Sequence, residues 1–319
     1  MLQRVHLWQM MAGLLVLVAF LGSCRKDAAV VGGPLFPAAR GPRHMGYINR
    51  EGKFVIPPDY EFAKVFHEGL AAVGVNGRYG FINEANKVVI PLTYEEVDAF
   101  SEGLAAFRKG SRWGFLNRAG EVQIGCEYEV VSGFSCGVAS VQKQGLFGVI
   151  DVNGRWVCEP VHRWLRGFQE GVAAYQSTDG LWGFLNCKGE VELKPVYAEA
   201  DSFSQGRAVV KRKADGPSWM IDRKGEMVAG PFEELQSFAP NGLAVVRQKG
   251  MTGFLNLNGE LLLKPEWKRV NSFAEGLAAV RGDGWSGYVD GTGDVVIRLG
   301  EDMWILGPFG NGMAYVATM

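Results

Sequence analysis

Trp113-Gly114-Phe115-Leu116-Asn117, followed about twenty residues later by Phe134-Ser135-Cys136-Gly137-Val138-Ala139, is the stretch that decides the fold, because it recurs. The motif glycine returns at Gly46, Gly80, Gly114, Gly148 and Gly183. It reads as Met220 in the sixth copy and reappears at Gly253 and Gly287. The second motif is marked by Phe66, Phe100, Phe134, Phe168, Phe203, Phe238, Phe273 and Phe309, in steps of 34 to 36 residues. A fixed period in this range is the signature of a repeat architecture, and it outranks any local motif. It says how the chain is built and leaves its ligand unnamed.

Within one copy, Leu104-Ala105-Ala106-Phe107 runs into a turn at Gly110-Ser111, and Trp113 to Leu116 form a second apolar run. Asn117 to Gly120 read as a turn, and Glu121-Val122-Gln123-Ile124 alternate polar and apolar. Glu127 to Val131 read as a fourth short strand. Runs of four to six residues between turn signals predict antiparallel β-structure. The second turn opens with Asn49, Asn83, Asn117, Asp151, Asn186, Asp222, Asn256 or Asp290, and three residues later comes Gly or, once, Asn86. That is type I turn chemistry. The spacing is not that of a calcium loop.

An alanine stands in every copy of the second motif, from Ala71 to Ala314, and predicts a crowded point between units. The phenylalanines predict core packing between units. About 34 residues cannot bury enough apolar surface alone, so stability must come from neighbours.

The first copy lacks a Gly-x-Ala strand before Gly46, and the chain ends on one without a following aromatic-Gly strand. Joining the two would remove an open sheet edge. The expectation is therefore all-β: eight tandem units in a closed, propeller-like toroid, with the N- and C-terminal strands sharing one unit. The alternative is an open β-superhelix, since the unit is shorter than the roughly 40–50 residues of familiar propeller repeats.

Residues 1–23 read as a signal peptide: Arg4, an uncharged apolar run from Met10 to Leu21, then Leu21-Gly22-Ser23-Cys24. The run is shorter than the about 20 residues of a membrane span. It resembles the bacterial lipobox, which implies cleavage before Cys24 and lipidation of that cysteine. Residues 24–44, rich in Gly and Pro, read as a flexible tether, and 45–319 as the repeat domain.

The combination of Trp-Gly-Phe-Leu-Asn, Val88-Val89-Ile90-Pro91-Leu92-Thr93-Tyr94 and Phe100-Ser101-Glu102-Gly103-Leu104-Ala105 resembles the bacterial WG-repeat family. The namesake Trp is present at Trp113, Trp182 and Trp219, and Met45, Thr252 and Ser286 depart from it. The resemblance implies a scaffold of repeats, in which Trp113, Gly114, Trp182, Gly183, Phe100, Phe134 and Phe168 are structural. It implies no catalytic residue.

The 319 residues carry a net charge of −1, so no overall field favours nucleic acid. His44, His67 and His162 have no ligand spacing, and no nucleophile elbow or phosphate loop occurs. No catalytic residue, cofactor or metal is expected. Cys126, Cys136, Cys158 and Cys187 lack Cys-x-x-Cys spacing; they admit three pairings or free thiols, with Cys126 and Cys136 nearest in sequence. A basic cluster comprises Lys211, Arg212, Lys213, Arg247, Lys249 and Arg281, with Lys264, Lys268 and Arg269 beyond. It reads as edge protection or as a binding rim for an acidic partner or anionic glycan.

The expected function is a non-enzymatic binding or scaffolding lipoprotein of the cell envelope, held to the membrane by its lipid and contacting an envelope protein or glycan. The alternative is a carbohydrate-processing accessory or enzyme that uses a central opening of the ring.

Overall fold

A computed structural model describes residues 34–239, 241–271, 276–282, 284–300, 303–305 and 316–318. The expected signal peptide, Cys24, Phe273, Phe309 and Ala314 lie outside them. The chain falls into two compact units, Met1–Tyr128 and Glu129–Met319. Both are built from antiparallel strands, with no helix among the described residues.

In the first unit, β1 (Phe36–Gly41), β2 (His44–Ile48) and β3 (Phe54–Tyr60) form a three-stranded sheet. β4 (Phe62–Ala63), β5 (Leu70–Val75), β6 (Arg78–Asn83) and β7 (Val88–Tyr94) form a four-stranded one. So do β8 (Glu96–Val97), β9 (Leu104–Lys109), β10 (Arg112–Asn117) and β11 (Val122–Tyr128).

The second unit repeats the four-stranded plan. Its first sheet is β12 (Val130–Val131), β13 (Val138–Lys143), β14 (Leu146–Asp151) and β15 (Trp156–His162). The next is β16 (Trp164–Leu165), β17 (Val172–Gln176), β18 (Trp182–Asn186) and β19 (Val191–Tyr197). Then come β20 (Glu199–Ala200), β21 (Ala208–Lys211), β22 (Ser218–Ile221) and β23 (Met227–Phe232), followed by β24 (Glu234–Leu235), β25 (Leu243–Gln248), β26 (Met251–Asn256) and β27 (Leu261–Trp267). β28 (Arg269–Val270), β29 (Leu277–Arg281), β30 (Ser286–Asp290) and β31 (Val295–Leu299) complete the series, and β32 (Met303–Ile305) pairs with β33 (Val316–Thr318).

Each four-stranded sheet thus orders a two-residue strand, the Gly-x-Ala strand, the aromatic-Gly strand and an outer strand. The expected fourth strand at Glu127–Val131 divides. Its first half ends β11, and Val130–Val131 opens the next sheet. Two-residue turns such as Asn76-Gly77 and Gln144-Gly145, with positive φ at both positions, join the central strands. This geometry matches the right-handed twist of a hairpin. The Asn/Asp turn forms as expected. Asn117 O accepts from Gly120 N at 2.9 Å, and its side-chain oxygen accepts from Ala119 and Glu121 N.

The core sits between consecutive sheets. Phe81, Ile90 and Leu70 of one sheet pack with Phe100, Ala105 and Leu116 of the next. Phe184 and Ala174 meet Phe203, Ala208 and Ile221 in the same manner. Three motif phenylalanines meet the aromatic residue after the motif glycine of the preceding sheet: Tyr47–Phe66 at 4.7 Å, Phe81–Phe100 at 4.7 Å and Phe184–Phe203 at 4.8 Å. Such tilted and edge-on contacts add to simple area burial. Phe134 and Phe168 are buried too, as are the motif alanines from Ala71 to Ala278.

Three expectations are corrected. The tether stops short of residue 44, because β1 pairs with β2, Ala38 standing opposite Gly46 as Val73 stands opposite Gly80. Leu35, buried just before β1, occupies the place of Leu70. The open edge of β2 needed partners for its peptide groups, and a two-residue turn at Pro42-Arg43 brings the preceding chain onto it. Among the described residues the terminal strands share no sheet: β2 is flanked by β1 and β3, and β33 lies on β32.

The third correction concerns copy six. Val210 faces Trp219, as Val73 faces Gly80. Trp219, not Met220, occupies the glycine position, with Ser218 where the namesake Trp belongs.

Candidate functional site

The residue two before the motif phenylalanine has the same backbone role in each of the seven four-stranded sheets. Lys64 N donates to Ala72 O and Asp98 N to Ala106 O. Ser132, Arg166, Asp201, Gln236 and Asn271 N donate to Ser140, Ala174, Val209, Val245 and Ala279 O, all at 2.8–2.9 Å. The backbone holds each residue at the end of the short strand, while the side chain varies among cation, anion, hydroxyl and amide. Two neighbouring pairs in this row touch. Lys64 Nζ donates to Asp98 at 2.7 Å in the first unit, and Arg166 lies 3.7 Å from Asp201 in the second. Burial would push the Asp98 carboxyl up. The Lys64 hydrogen bond, the Ala99 N–H and the charges of Lys64 and His67 prevail and hold it below the usual range.

In the second unit three members of the row, Arg166, Asp201 and Gln236, converge on a cleft of about 500 Å³. Its walls are the ends of β16, β20 and β24. Arg166 stacks on Trp182 at 5.3 Å, Lys211 bonds Glu199 at 2.8 Å, and Ser237 Oγ donates to Asp201 at 2.7 Å. Ala200, Val209, Val210 and Leu235, all buried, form its apolar part.

The predicted basic rim is distributed by register. Lys211, Arg247 and Arg281 do occupy one position, opposite Glu199, Glu234 and Arg269. Lys211 enters the cleft already paired, and Arg247 lies 4.0 Å from Glu233. Arg212 and Lys213 lie in the bend after β21, and Lys249 is the first residue of a hairpin turn, with φ 52°. Of the repeat residues, Trp113 and Trp182 are half-buried on β10 and β18. Gly114 and Gly183 pass so close to the outer strand that a Cβ would meet Ile124 O and Leu193 O at 2.5 Å.

Two arrangements escaped the sequence reading. Cys136 and Cys187 form a disulfide between turns of adjacent sheets, while Cys126 and Cys158 remain as thiols. The pairing joins the Phe-x-x-Gly turn to the Asn turn one period on, a signal available only once the sheets are seen to stack. Cys158 Sγ also lies 3.6 Å from His162 Nε2. Burial, then Glu159, pushes the thiol up, and burial holds the imidazole below its ordinary value. Both groups are therefore held neutral, the opposite of an activated thiolate–imidazolium pair. No group of three or more possible metal ligands occurs among the described residues. The convergent row at the Phe-minus-two position could have been found in the sequence as a polar, variable column in an otherwise regular frame.

No curated protein matches the chain. Among solved structures, it is similar to the computationally designed Ika8 protein at 11% identity, covering 85% of this chain and 95% of that one, with a TM-score of 0.46. It is similar to BamB from Moraxella catarrhalis at 13% identity, covering 74% and 86%, with a TM-score of 0.44. For apo AztD from Citrobacter koseri the identity is 12%, the coverage 84% and 94%, and the TM-score 0.45. The WG containing repeat model matches residues 45–79, 79–113, 113–147, 147–182, 182–213 and 253–284. The gap between the last two matches contains Trp219, the residue in the glycine position. With well over half its length matched at the period of its sheets, the chain belongs to the WG-containing repeat family.

Proposed function

We propose that the protein is a non-enzymatic binding or scaffolding lipoprotein of the bacterial cell envelope, which uses its repeated surface to hold a protein or glycan. The main support is the row at the Phe-minus-two position. Seven sheets hold one backbone site constant and vary its polar side chain, as a surface selected for contacts does. The Cys136–Cys187 disulfide fits export to an oxidising compartment. The lipobox-like Leu21-Gly22-Ser23-Cys24 adds an anchor. An accessory role in carbohydrate processing is favoured by one feature, the cleft below Arg166 and Gln236.

A photo-crosslinking residue in place of Gln236, in the full chain expressed in a bacterium, tests the proposal. It should capture one discrete envelope component, and Cys24→Ser should release the protein from membranes. Turnover of an envelope substrate by the purified protein, abolished by a point substitution in one sheet, would reject the non-enzymatic role.

A further inference from the structure

Resting on the binding reading above, we infer that the cleft between β16, β20 and β24 is a saccharide site, selective for neutral or amine-bearing sugars over acidic ones. Two features argue for the class. The cleft volume, about 500 Å³, lies inside the range of roughly 300–1,000 Å³ typical of small-ligand sites. Its surface is split between an apolar part, at Val209, Val210 and Leu235, and a polar rim. A pyranose has the same division, with C–H faces and a girdle of hydroxyls.

The charges decide what is excluded. Arg166 and Lys211 are opposed by Glu199, Asp201 and Glu234, so the lining carries one net negative charge. A phosphorylated, sulfated or uronate ligand would need the reverse. A hard cation needs free carboxylates, and Glu199 is bound to Lys211 while Asp201 accepts from Ser237 and faces Arg166. What remains is a set of paired donors and acceptors. A sugar hydroxyl both donates and accepts, so a carboxylate beside a cation satisfies it from both sides. Gln236 and Ser237 supply the same duality without charge. Glu234 stands exposed on the rim, outside those pairs, with its register partner Arg247 turned toward Glu233. A sugar ammonium group would complete it. Trp182, backed by the Arg166 guanidinium, gives the wall a rigid aromatic edge.

The test is calorimetric titration of the full protein with chitosan oligosaccharide, its N-acetylated counterpart, and a sulfated oligosaccharide of equal length. Binding should rank in that order, the sulfated sugar binding weakest. Glu234→Gln should erase the preference for the amine-bearing sugar. Gln236→Ala should weaken the first two by about tenfold, the loss of one hydrogen bond. Both side chains are exposed, and unchanged thermal unfolding would confirm that the variants fold.

Equal or tighter binding of the sulfated sugar, or binding insensitive to both substitutions, would overturn the site. If no saccharide binds while the crosslinker at position 236 still captures an envelope protein, the saccharide inference fails and the binding reading stands. If neither occurs, both fail.

Discussion

The sheet β16–β19 and the sheet β20–β23 after it meet one packing demand with the glycine on opposite strands. In the first, Trp182 faces Tyr197 and Phe184 faces Leu193, so Gly183 stands against a bulged outer strand. In the second, Trp219 takes the glycine place, the outer strand is one residue shorter, and Gly230 (φ +123°) lies under the indole. A Cβ on Gly230 would approach the Trp219 ring at 2.9 Å. What the fold preserves is the space between two strands. Which residue vacates it is free to vary.

The junctions between sheets carry the same lesson. The turn residue before the Gly-x-Ala strand reaches the Asn turn of the next sheet in three chemistries. Glu68 faces Arg118 at 3.8 Å, Cys136 is bonded to Cys187, and the Glu170 carbonyl accepts from Arg223 at 2.7 Å. The carboxylates add a second function. Glu68 accepts from Gly103 N at 3.1 Å, and Glu170 accepts from Gln205 and Gly206 N.

The comparison breaks most severely at Gly183. Gly183→Val should leave no cooperatively folded protein, because the obstacle is the Leu193 carbonyl and not a movable side chain. Urea unfolding and soluble yield would show it. Reducing the Cys136–Cys187 bond, which spans 51 residues, should cost about 4 kcal/mol. Unfolding midpoints with and without a dithiol reductant measure this, and Cys136→Ser with Cys187→Ser should be insensitive to the reductant.

Gly230→Ala should cost about 2 kcal/mol, part from the backbone angle and part from the ring. Adding Trp219→Gly should recover only the steric part of the loss caused by that alanine, measured as the departure from additivity. Glu170→Gln should cost about 1 kcal/mol, since two N–H donors lose a charged acceptor on a largely exposed turn.

The smallest effect belongs to Asp98. Its folded carboxyl is held below the unfolded value near about 3.9. Its contribution is therefore present above that pH and is lost as pH falls through the folded value. The pair with Lys64 is exposed, so the amount is below about 1 kcal/mol. Wild type and Asp98→Asn should differ slightly at pH 7 and converge in acid. His162 has its own signature. Its folded value is lowered by burial, so the neutral form is favoured in the fold. Stability should decline as pH drops below about 6.5, and thermal melts of His162→Gln across that window should be flatter.

Much of the fold was legible in the chain because its physics is local. Asn117 and Gly120 specify a turn wherever they stand, Asn76-Gly77 specifies a hairpin, and Phe100 and Ala105 announce burial by recurrence. The site was legible only in outline. Lys211 looked like part of a basic rim because its partner Glu199 lies across a strand pair. Arg166, Asp201 and Gln236 looked like unrelated polar residues because 35 positions separate each from the next.

By itself, then, the sequence determined the period, the three longer strands of a sheet, the turns and the buried aromatic residues. These follow from backbone preferences and hydrophobicity acting within one repeat. The tertiary structure decided which strand covers β2, where the glycine of copy six moved, which cysteines join and which charges meet at the cleft. Each of those depends on distances between strands or sheets, and such distances exist only after the chain has folded.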